Sequence, residues 1–586
     1  MRRGLIYITV FLCCISGMAK PVSLQNAESV AKKFMDLHPK TRGIDPIHLI
    51  WTGEPMTRVG DSDPAFYVFG RRSGGFVIVA GDDCLLPILG YSDESDFIVG
   101  KMPENIAGWF SSLNDLVKQI RGEGVRQSVG IRKRWNSIST KSTAGIMLQT
   151  ALWNQTSPYN LYAPMLRSDG TERCTIGCTN TATAIVMRYH EHPEKGLGVL
   201  PDYTYTKGSY TRTQSGHALG HNYDWDNMPT SGIKESSSSY QIQQVAQLMY
   251  DCAIMNKCMW NPYNSDTDSR NIPYALTKYM GYDKTIQYLE RVDYASDAWE
   301  EMIRRELDEG RPIIYAGQHE DGNGHVWVID GYNSDGFFYM NWGWSGVYNG
   351  FFVISPLEKA ANNYTKNHRM IIGIKPDEGG EPIVRDPYLV GSSTSNWRFN
   401  LNKSFISVFH IKNDGLEVQN LKCRAALTDK NGNLKSYLSD PIEIELPGFN
   451  TIDAEIPCMM KSMPENDDLI VLFAENNGEW KAMVHSDETV IKMKGPSPIE
   501  ECTTISYYKD YQILTITTEK DNAIQVYYTE SAGRNFIRMS QQNSGENSFS
   551  IIVPNSFSHD YSPYDLTVHI FNIAESKKFR VKLKEK

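Results

Sequence analysis

A chain of 586 residues is too long for a single hydrophobic core, and we expect three or four domains. Hydrophobic residues make up 41% of the chain, which is enough for cores of ordinary size. The formal net charge of −10 is mild for this length and does not indicate the basic surface that nucleic-acid binding requires. Composition and charge therefore argue against a nucleic-acid partner.

The first 19 residues have the pattern of a secretory signal peptide. Arg2 and Arg3 form the positive start, residues 5–15 form a short apolar core, and cleavage is expected after Ala19. This run is too short to span a bilayer, and no other run is long enough. Two cysteines within it raise lipidation as an alternative, but the small residues that a lipidation signal needs are missing. We predict a secreted or cell-surface protein without an integral membrane span.

Residues 20–143 are predicted to form a small α+β block followed by a linker. Helical and strand periodicity predicts helices over residues 26–37 and 105–120, and strands over 65–69, 75–80 and 85–91. From residue 121 the chain becomes polar and basic, which is typical of an exposed linker where proteolysis concentrates. An ordinary interdomain linker and a processing site both remain open.

Residues 144–376 carry predicted helices first and strands later, which indicates an α+β domain. The helices are predicted over 241–254 and 297–309, and the strands over 312–316, 324–331 and 337–344. Residues 383–495 and 496–586 instead show short alternating strands separated by Asn-Asp-Gly and Lys-Asn-Gly turns. Two β-sandwiches, the first Ig-like, are predicted there.

One cysteine stands apart from the others. Cys178 lies on a glycine-containing turn at the start of a mostly apolar helix. The N–H groups and dipole of a helix N-terminus favour a thiolate, so we expect a lowered pKa and fast alkylation. Taken alone, Cys178 is as readily interpreted as a buried inert thiol. Only eight cysteines remain after the signal peptide, so disulfides are not expected to be the framework of the fold.

A histidine and an asparagine follow on two predicted strands. His325 comes 147 residues after Cys178, and Asn341 lies beyond a turn that predicts a hairpin. Histidine can take the thiol proton and return it to a leaving amine, and an asparagine can fix its tautomer. The order Cys, His, Asn is that of papain-like cysteine proteases. A structural histidine is the alternative, which the nearby Gly322 and Gly324 weaken.

The segment of residues 151–155 ends in a candidate oxyanion donor. The side-chain amide of Gln155, with the backbone N–H of Cys178, could stabilise negative charge on a carbonyl oxygen under attack. A surface loop is the alternative. The pairs His190, His192 and His217, His221 lack an acidic ligand at a metalloprotease spacing and are interpreted as solvated or structural. No metal and no cofactor is predicted.

At these residues the chain resembles the streptopain family of secreted bacterial cysteine proteases. The matching segments are Trp153-Asn154-Gln155, Gly177-Cys178-Thr179, Ala182-Thr183-Ala184, Tyr189-His190, Gly324-His325 and Asn341-Trp342-Gly343-Trp344. Residues 76–83 and 87–92 also resemble the propeptide of that family. Ser345 departs from the pattern, since a glycine often follows the Trp-Gly-Trp run.

The resemblance implies a role for each candidate residue. Cys178 would be the nucleophile, His325 the general base and acid, and Gln155 the oxyanion donor. Asn341 would orient the histidine, and Trp342 would shield that hydrogen bond from water. The resemblance also implies a papain-like catalytic domain and an inhibitory propeptide before it.

The sequence therefore predicts an α+β zymogen of a secreted cysteine endopeptidase, with two C-terminal β-sandwiches. Its expected partners are protein or peptide substrates and its own propeptide, and a monomer is expected. One alternative is a Cys-His amidase or transglutaminase-like acyl transferase acting on cell-wall or cross-linked peptides. Another is a non-catalytic adhesin or inhibitor that binds through the β-sandwiches.

Overall fold

The computed structural model describes most of the chain. It covers residues 20–37, 45–53, 63–100, 102, 104–138, 145–166, 172–318, 324–355, 368–395, 402–462, 464–486 and 488–493, and the backbone of eight strands after residue 502. The predicted signal peptide and residues 139–144 of the predicted linker lie outside the described residues. The chain divides between residues 384 and 385 into two compact units.

The N-terminal part of the first unit contains the predicted elements with small shifts of their ends. Its elements are α1 (Leu24–Leu37), β1 (His48–Thr52), β2 (Phe66–Gly70), β3 (Phe76–Ala80), β4 (Ile88–Ser92), α2 (Glu104–Glu123) and α3 (Val129–Asn136). The segment predicted as an exposed linker is helical up to residue 123 and over residues 129–136, and its basic run Arg132, Lys133 and Arg134 is exposed as predicted. Ser128 caps α3 by accepting a hydrogen bond from the Ile131 N–H at 3.0 Å, and Ile131 is buried.

The second part of this unit carries helices before strands, as predicted. Its elements are α4 (Cys178–His190), β5 (Tyr203–Lys207), β6 (Tyr210–Gln214), α5 (Ser239–Met255), α6 (Asn271–Met280), β7 (Gln287–Glu290), α7 (Ser296–Asp308), β8 (Ile313–Gln318), β9 (Gly324–Tyr332), β10 (Phe338–Asn341), β11 (Gly350–Phe352) and β12 (Arg369–Ile372). The α+β class predicted for this region is confirmed. The sequence did not predict β5, β6, α6, β7, β11 or β12.

A single ten-stranded sheet joins the two parts, in the order β1-β2-β3-β4-β11-β10-β9-β8-β12-β7. The junction is antiparallel, with Tyr91 of β4 opposite Phe351 of β11 and Gly90 opposite Phe352. A Cβ on Gly90 would lie 2.5 Å from the Phe352 ring, so the close approach requires glycine. The N-terminal block is therefore an extension of the sheet that bears His325.

One apolar core covers a face of this sheet. It contains Phe66 and Phe110 from the N-terminal block together with Trp327, Ile329 and Phe352 from the later strands. Helix α2 lies against β9, and α4 contacts β8 and β9. Because side chains alternate along a strand, His325 shares the face of Trp327 and Ile329, which is the face covered by the N-terminal block.

The second unit is all-β within its described residues. Its strands are β13 (Tyr388–Thr394), β14 (Ser404–Asn413), β15 (Gln419–Thr428), β16 (Leu434–Tyr437), β17 (Ile442–Leu446), β18 (Asn450–Met459), β19 (Leu469–Asn476), β20 (Glu479–Ala482), β21 (Ile491–Lys492), β22 (Thr503–Tyr508), β23 (Ile513–Thr518), β24 (Gln525–Thr529), β25 (Ile537–Arg538), β26 (Ser540–Gln541), β27 (Ser548–Ile552), β28 (Asp565–Phe571) and β29 (Ser576–Lys582). Their existence agrees with the predicted all-β character of this region.

Strands β13-β14-β18 form one sheet, and β16-β15-β19-β20 with β17 and β21 form another. Phe409, Ile411, Leu427 and Leu472 from the two sheets meet in one core, as in a sandwich. Beyond them, β22-β23-β27-β26 and β25-β24-β28-β29 form two four-stranded antiparallel sheets. The boundaries predicted for the domains stay predictions. None of the described helices is both long and apolar enough to cross a bilayer.

A buried carboxylate fixes the segment by which the chain leaves the first unit. Asp283 accepts hydrogen bonds from the N–H and hydroxyl of Thr285 at 2.9 and 2.6 Å. It also accepts from the N–H groups of Glu378 and Gly380 at 3.0 and 3.1 Å. Burial alone would raise the pKa of Asp283, but these four donors outweigh it and hold that pKa well below its usual range.

Replacing this carboxylate should destabilise the first unit. We expect Asp283→Ala to lower its free energy of unfolding by about 2 kcal/mol at pH 7, because buried N–H groups lose their acceptor. The deficit should shrink below about pH 4, where the wild type begins to protonate Asp283 as it unfolds. Calorimetry of both proteins at pH 7 and pH 3 measures this. The exposed Asp377→Ala is the control, and an equal loss in both variants contradicts the prediction.

Candidate active site

A cleft of about 710 Å³ brings the predicted nucleophile and base together. Cys178 of α4 and His325 of β9 both line it. Its other walls are formed by α2 (Ala107, Gly108, Ser111), by Thr179, by the loop from Asn264 to Arg270 with Met259, and by Tyr288, Glu290, Ala316, Gly317, Gly324, Val326 and Arg369. The cleft therefore contains both reactive side chains and part of the predicted propeptide.

Cys178 is positioned by a turn that only glycine allows. Gly177 has φ = +85°, and a Cβ there would lie 2.5 Å from the Ser265 carbonyl oxygen. Burial raises the pKa of Cys178, and it outweighs the Val326 and Thr179 N–H groups that donate to the sulfur. The predicted lowering of this pKa is therefore wrong for the chain with its N-terminal block in place.

His325 lies against α2. It pairs with Gly317 of β8 across the sheet, and 9% of its surface is exposed. A Cβ added to Gly108 would lie 2.2 Å from both Cδ2 and Nε2 of the imidazole. Helix α2 thus lies directly beside the Cδ2–Nε2 edge of the imidazole.

Asn341 lies on the strand next to the histidine strand, as the predicted hairpin requires. It stands opposite Val328, three residues beyond His325. Its Nδ2 donates to Thr150 Oγ1 at 2.8 Å and to the Ala151 carbonyl at 2.9 Å, so both amide hydrogens are used. Its Oδ1 accepts from the Gly343 N–H at 3.2 Å and keeps a second lone pair.

Gln155 and Trp342 occupy different surroundings. The carbonyl of Gln155 accepts from the Ile176 N–H at 3.0 Å, and its side-chain amide makes no hydrogen bond within the described residues. Gln155 does not line the cleft itself. The Trp342 ring is buried and lies 5.0 Å from that of Trp327, the residue two places after His325. Trp342 is therefore on the histidine face of the sheet.

The family pattern often has glycine where this chain has Ser345, and the backbone shows why. Ser345 has φ = +55°, a left-handed conformation that side chains disfavour. Its N–H donates to the Trp153 carbonyl at 2.9 Å, and its hydroxyl accepts from Asn154 Nδ2 at 3.2 Å. These bonds attach the loop to the segment that carries Gln155.

The second histidine pair has a partner that sequence reasoning missed. Nε2 of His217 and of His221 bond the two oxygens of Asp251, at 2.6 and 2.8 Å. Tyr223 donates to the same buried carboxylate at 2.8 Å. Burial would raise the pKa of Asp251, but these bonds lower it, and the pKa of His221 is raised in return. The sequence did contain a signal for this partner, because Asp251 is an acidic residue within an otherwise apolar helical stretch.

Residues 153–352 match the sequence profile of the peptidase C10 family, and residues 19–117 match that of the Spi protease inhibitor. Streptopain of Streptococcus pyogenes is 32% identical over 333 residues, which cover 53% of this chain and 80% of streptopain. The chain belongs to the peptidase C10 family. The resemblance to the streptopain family is thereby confirmed, and residues 153–352 are of the cysteine-peptidase class.

Two further similarities extend beyond that region. The thiol protease/hemagglutinin PrtT of Porphyromonas gingivalis is 28% identical over 508 residues, 83% of this chain. The chain spans only 57% of the length of PrtT. A solved fragment of prointerpain A from Prevotella intermedia is 24% identical, covers 56% of this chain and all of that fragment, and has a TM-score of 0.44.

The state of Cys178 should depend on the N-terminal block. We expect iodoacetamide at pH 7 to alkylate Cys178 at least about tenfold more slowly in the intact precursor than after removal of the block, because burial disfavours the thiolate. Peptide mass spectrometry of timed samples gives the rate at each cysteine. Urea-unfolded precursor is the control for intrinsic reactivity. Equal rates at Cys178 before and after removal would show that the block does not suppress the thiolate.

Proposed function

We propose that this chain is the precursor of a secreted cysteine endopeptidase that hydrolyses peptide bonds of protein substrates. A signal peptide over residues 1–19, export to the cell exterior or surface, and a monomeric state are parts of this proposal. The observation that carries it is the shared cleft, which Cys178 and His325 both line and in which Gly108 of α2 abuts the imidazole. Membership of the peptidase C10 family supports the chemistry.

The geometry supports an acyl-enzyme mechanism. Sγ of Cys178 attacks the scissile carbonyl carbon, and the C–S bond forms as His325 takes the thiol proton. The oxyanion receives hydrogen bonds from the Cys178 N–H and from the uncommitted amide of Gln155. His325 then protonates the leaving amine as the C–N bond breaks. Water, deprotonated by His325, hydrolyses the thioester and restores the thiol.

Asn341 and Trp342 support His325 in this mechanism. The remaining lone pair of Asn341 Oδ1 is the acceptor that we assign to the ring N–H of His325. Because Asn341 stands opposite Val328, on the face of β9 that His325 does not share, this bond requires that α2 leaves and that the imidazole turns towards Asn341. The Trp342 ring, packed on Trp327, would then exclude water from that hydrogen bond. This assignment gives Asn341 two tasks, because its amide hydrogens already bind Thr150 and Ala151.

We further propose that residues 20–143 inhibit the peptidase as a propeptide. The match of residues 19–117 to an inhibitor family and the contact of Gly108 with His325 support this. The helices α2 and α3 occupy residues 104–123 and 129–136, and proteases prefer irregular backbone. We therefore expect the activating cut after Asn136 and before about residue 145. Residues 144–376 would be the peptidase domain, and 383–495 and 496–586 two β-sandwich domains.

The precursor and its Cys178→Ala variant test the proposed function. We expect the wild-type precursor to be inactive on casein until it is cut within residues 137–145. The variant should fold, stay intact when alone, and be cut at the same place when active enzyme is added, because the cut is made by another copy. N-terminal sequencing and casein hydrolysis are the measurements. Casein hydrolysis by the variant would refute Cys178 as the nucleophile.

A single methyl group should weaken inhibition. Gly108→Ala places a Cβ 2.2 Å from the His325 ring, so α2 and the ring cannot keep their present contact. We expect the uncut variant to hydrolyse a fluorogenic peptide at least about tenfold faster than the uncut wild type. This factor corresponds to a loss of roughly 1.4 kcal/mol in the free energy with which α2 packs into the cleft. Mass spectrometry verifies that the chain is uncut. Gly122→Ala adds the same methyl to α2 in open space and should stay latent. If both variants are equally latent, the contact is not inhibitory.

A further inference from the structure

A buried carboxyl group on the histidine strand has no part in the mechanism above. Asp330 of β9 is 2% exposed and lies five residues after His325. Its Oδ2 accepts from the Thr150 hydroxyl at 2.5 Å and from the Thr150 N–H at 3.3 Å. Its Oδ1 is buried without a hydrogen-bond partner in the described part of the chain. A charged group held by one neutral residue requires an explanation.

Thr150 transmits this contact to Asn341. Its hydroxyl donates its hydrogen to Asp330 and accepts from Asn341 Nδ2 at 2.8 Å. Nδ2 of Asn341 also donates to the carbonyl of Ala151, the next residue. The three side chains therefore form one directed chain of hydrogen bonds from β10 through Thr150 to β9.

The segment from Thr150 to Gln155 is joined at its far end to the turn that precedes Cys178. The Gln155 carbonyl accepts from the N–H of Ile176, two residues before Cys178. Between these ends, the Trp153 carbonyl accepts from the Ser345 N–H and the Trp153 Nε1 donates to the Pro229 carbonyl. Of the described residues whose hydrogen bonds anchor this segment, Asp330 is the one with an ionisable side chain. Its contact with Thr150 fixes the end of the segment opposite Gln155.

Ionisation of buried Asp330 lowers the free energy of unfolding of the protein. Burial raises its pKa to about 6, and the Thr150 bonds lower it only in part. The unfolded value is about 3.9, so folding stability from this group is lost as pH rises from about 4 to about 6. The titratable groups that face it are the phenols of Tyr189 on α4 and Tyr339 on β10, whose pKa values are raised chiefly by their own burial and further by the charge of Asp330. Costs of this kind concentrate at functional sites.

We propose that Asp330 is a positioning residue for the peptidase reaction. Its carboxylate holds Thr150, and through Thr150 it sets the place of the Gln155 segment and of the Asn341 amide. This inference rests on the proposed function. A displacement of the oxyanion donor by a fraction of an ångström lowers transition-state stabilisation while leaving ground-state binding intact.

The mature enzyme carrying Thr150→Val tests the hydrogen-bond chain, because valine keeps the shape and lacks the hydroxyl. With kcat expressed per thiol titrated by a labelled alkylator, we expect it to fall about tenfold while KM changes less than about twofold. Thr150→Ser, which keeps the hydroxyl, should retain most of kcat. Asp283→Asn removes another buried carboxylate, outside this chain of bonds, and should leave kcat per titrated thiol unchanged.

Asp330→Asn tests the charge. At pH 7.5 we expect kcat to fall at least about threefold with no loss of melting temperature, because the ionised carboxyl is costly there. The ratio of variant to wild-type kcat should rise towards one below about pH 6, where the wild type is itself protonated. Wild-type kcat in Thr150→Val, or a ratio for Asp330→Asn that does not change with pH, overturns the inference. A wild type that hydrolyses nothing overturns the proposed function instead.

Discussion

The structure depends on the packing of the N-terminal block on the histidine face of the sheet. Strand β4 pairs with β11, and α2 lies against β9, so aromatic residues of both parts share one core. Trp109 of α2 meets the Phe352 ring edge-on at 5.2 Å, two strands from His325. Burial of aromatic side chains is the largest favourable term available, at about 25 cal/mol per Å². The same packing places α2 in the wall of the cleft, beside His325.

Two opposing effects act on the pKa of Cys178, the helix N-terminus and burial. A helix N-terminus favours an adjacent negative charge by about 0.3–1 kcal/mol. Burial can raise a thiol pKa by several units, at about 1.4 kcal/mol each. With α2 present, burial wins, although Val326 and Thr179 donate to the sulfur. We expect removal of the block to leave the helix terminus in place and to expose the thiol, so that the helix terminus then has the larger effect on its pKa.

The sequence predicted elements and motifs better than their contacts. Periodicity located α1, α2, α5, α7 and the β9–β10 hairpin, because each signal is local. The basic run in α3 predicts a linker and not a helix. A two-turn helix that is held by its cap Ser128 and by buried Ile131 has almost no periodic signal in the sequence. The contact of Gly108 with His325 joins residues 217 positions apart, which no local pattern encodes. The register of β9 and β10 includes an irregularity between Tyr339 and Met340, which alternation cannot predict.

Three of the buried carboxylates described in the first unit, Asp251, Asp283 and Asp330, differ in how they are held. Asp283 receives four donors and Asp251 receives two histidines and a tyrosine, and both pKa values are lowered. Such groups add stability at neutral pH. Asp330 accepts hydrogen bonds from Thr150, has one oxygen without a partner among the described residues, and has a raised pKa. A fold under selection for stability alone would replace it with an uncharged side chain of similar shape. Its place on β9 with His325, where it anchors the segment that runs from Thr150 to Gln155, is the physical reason to look for its role in catalysis.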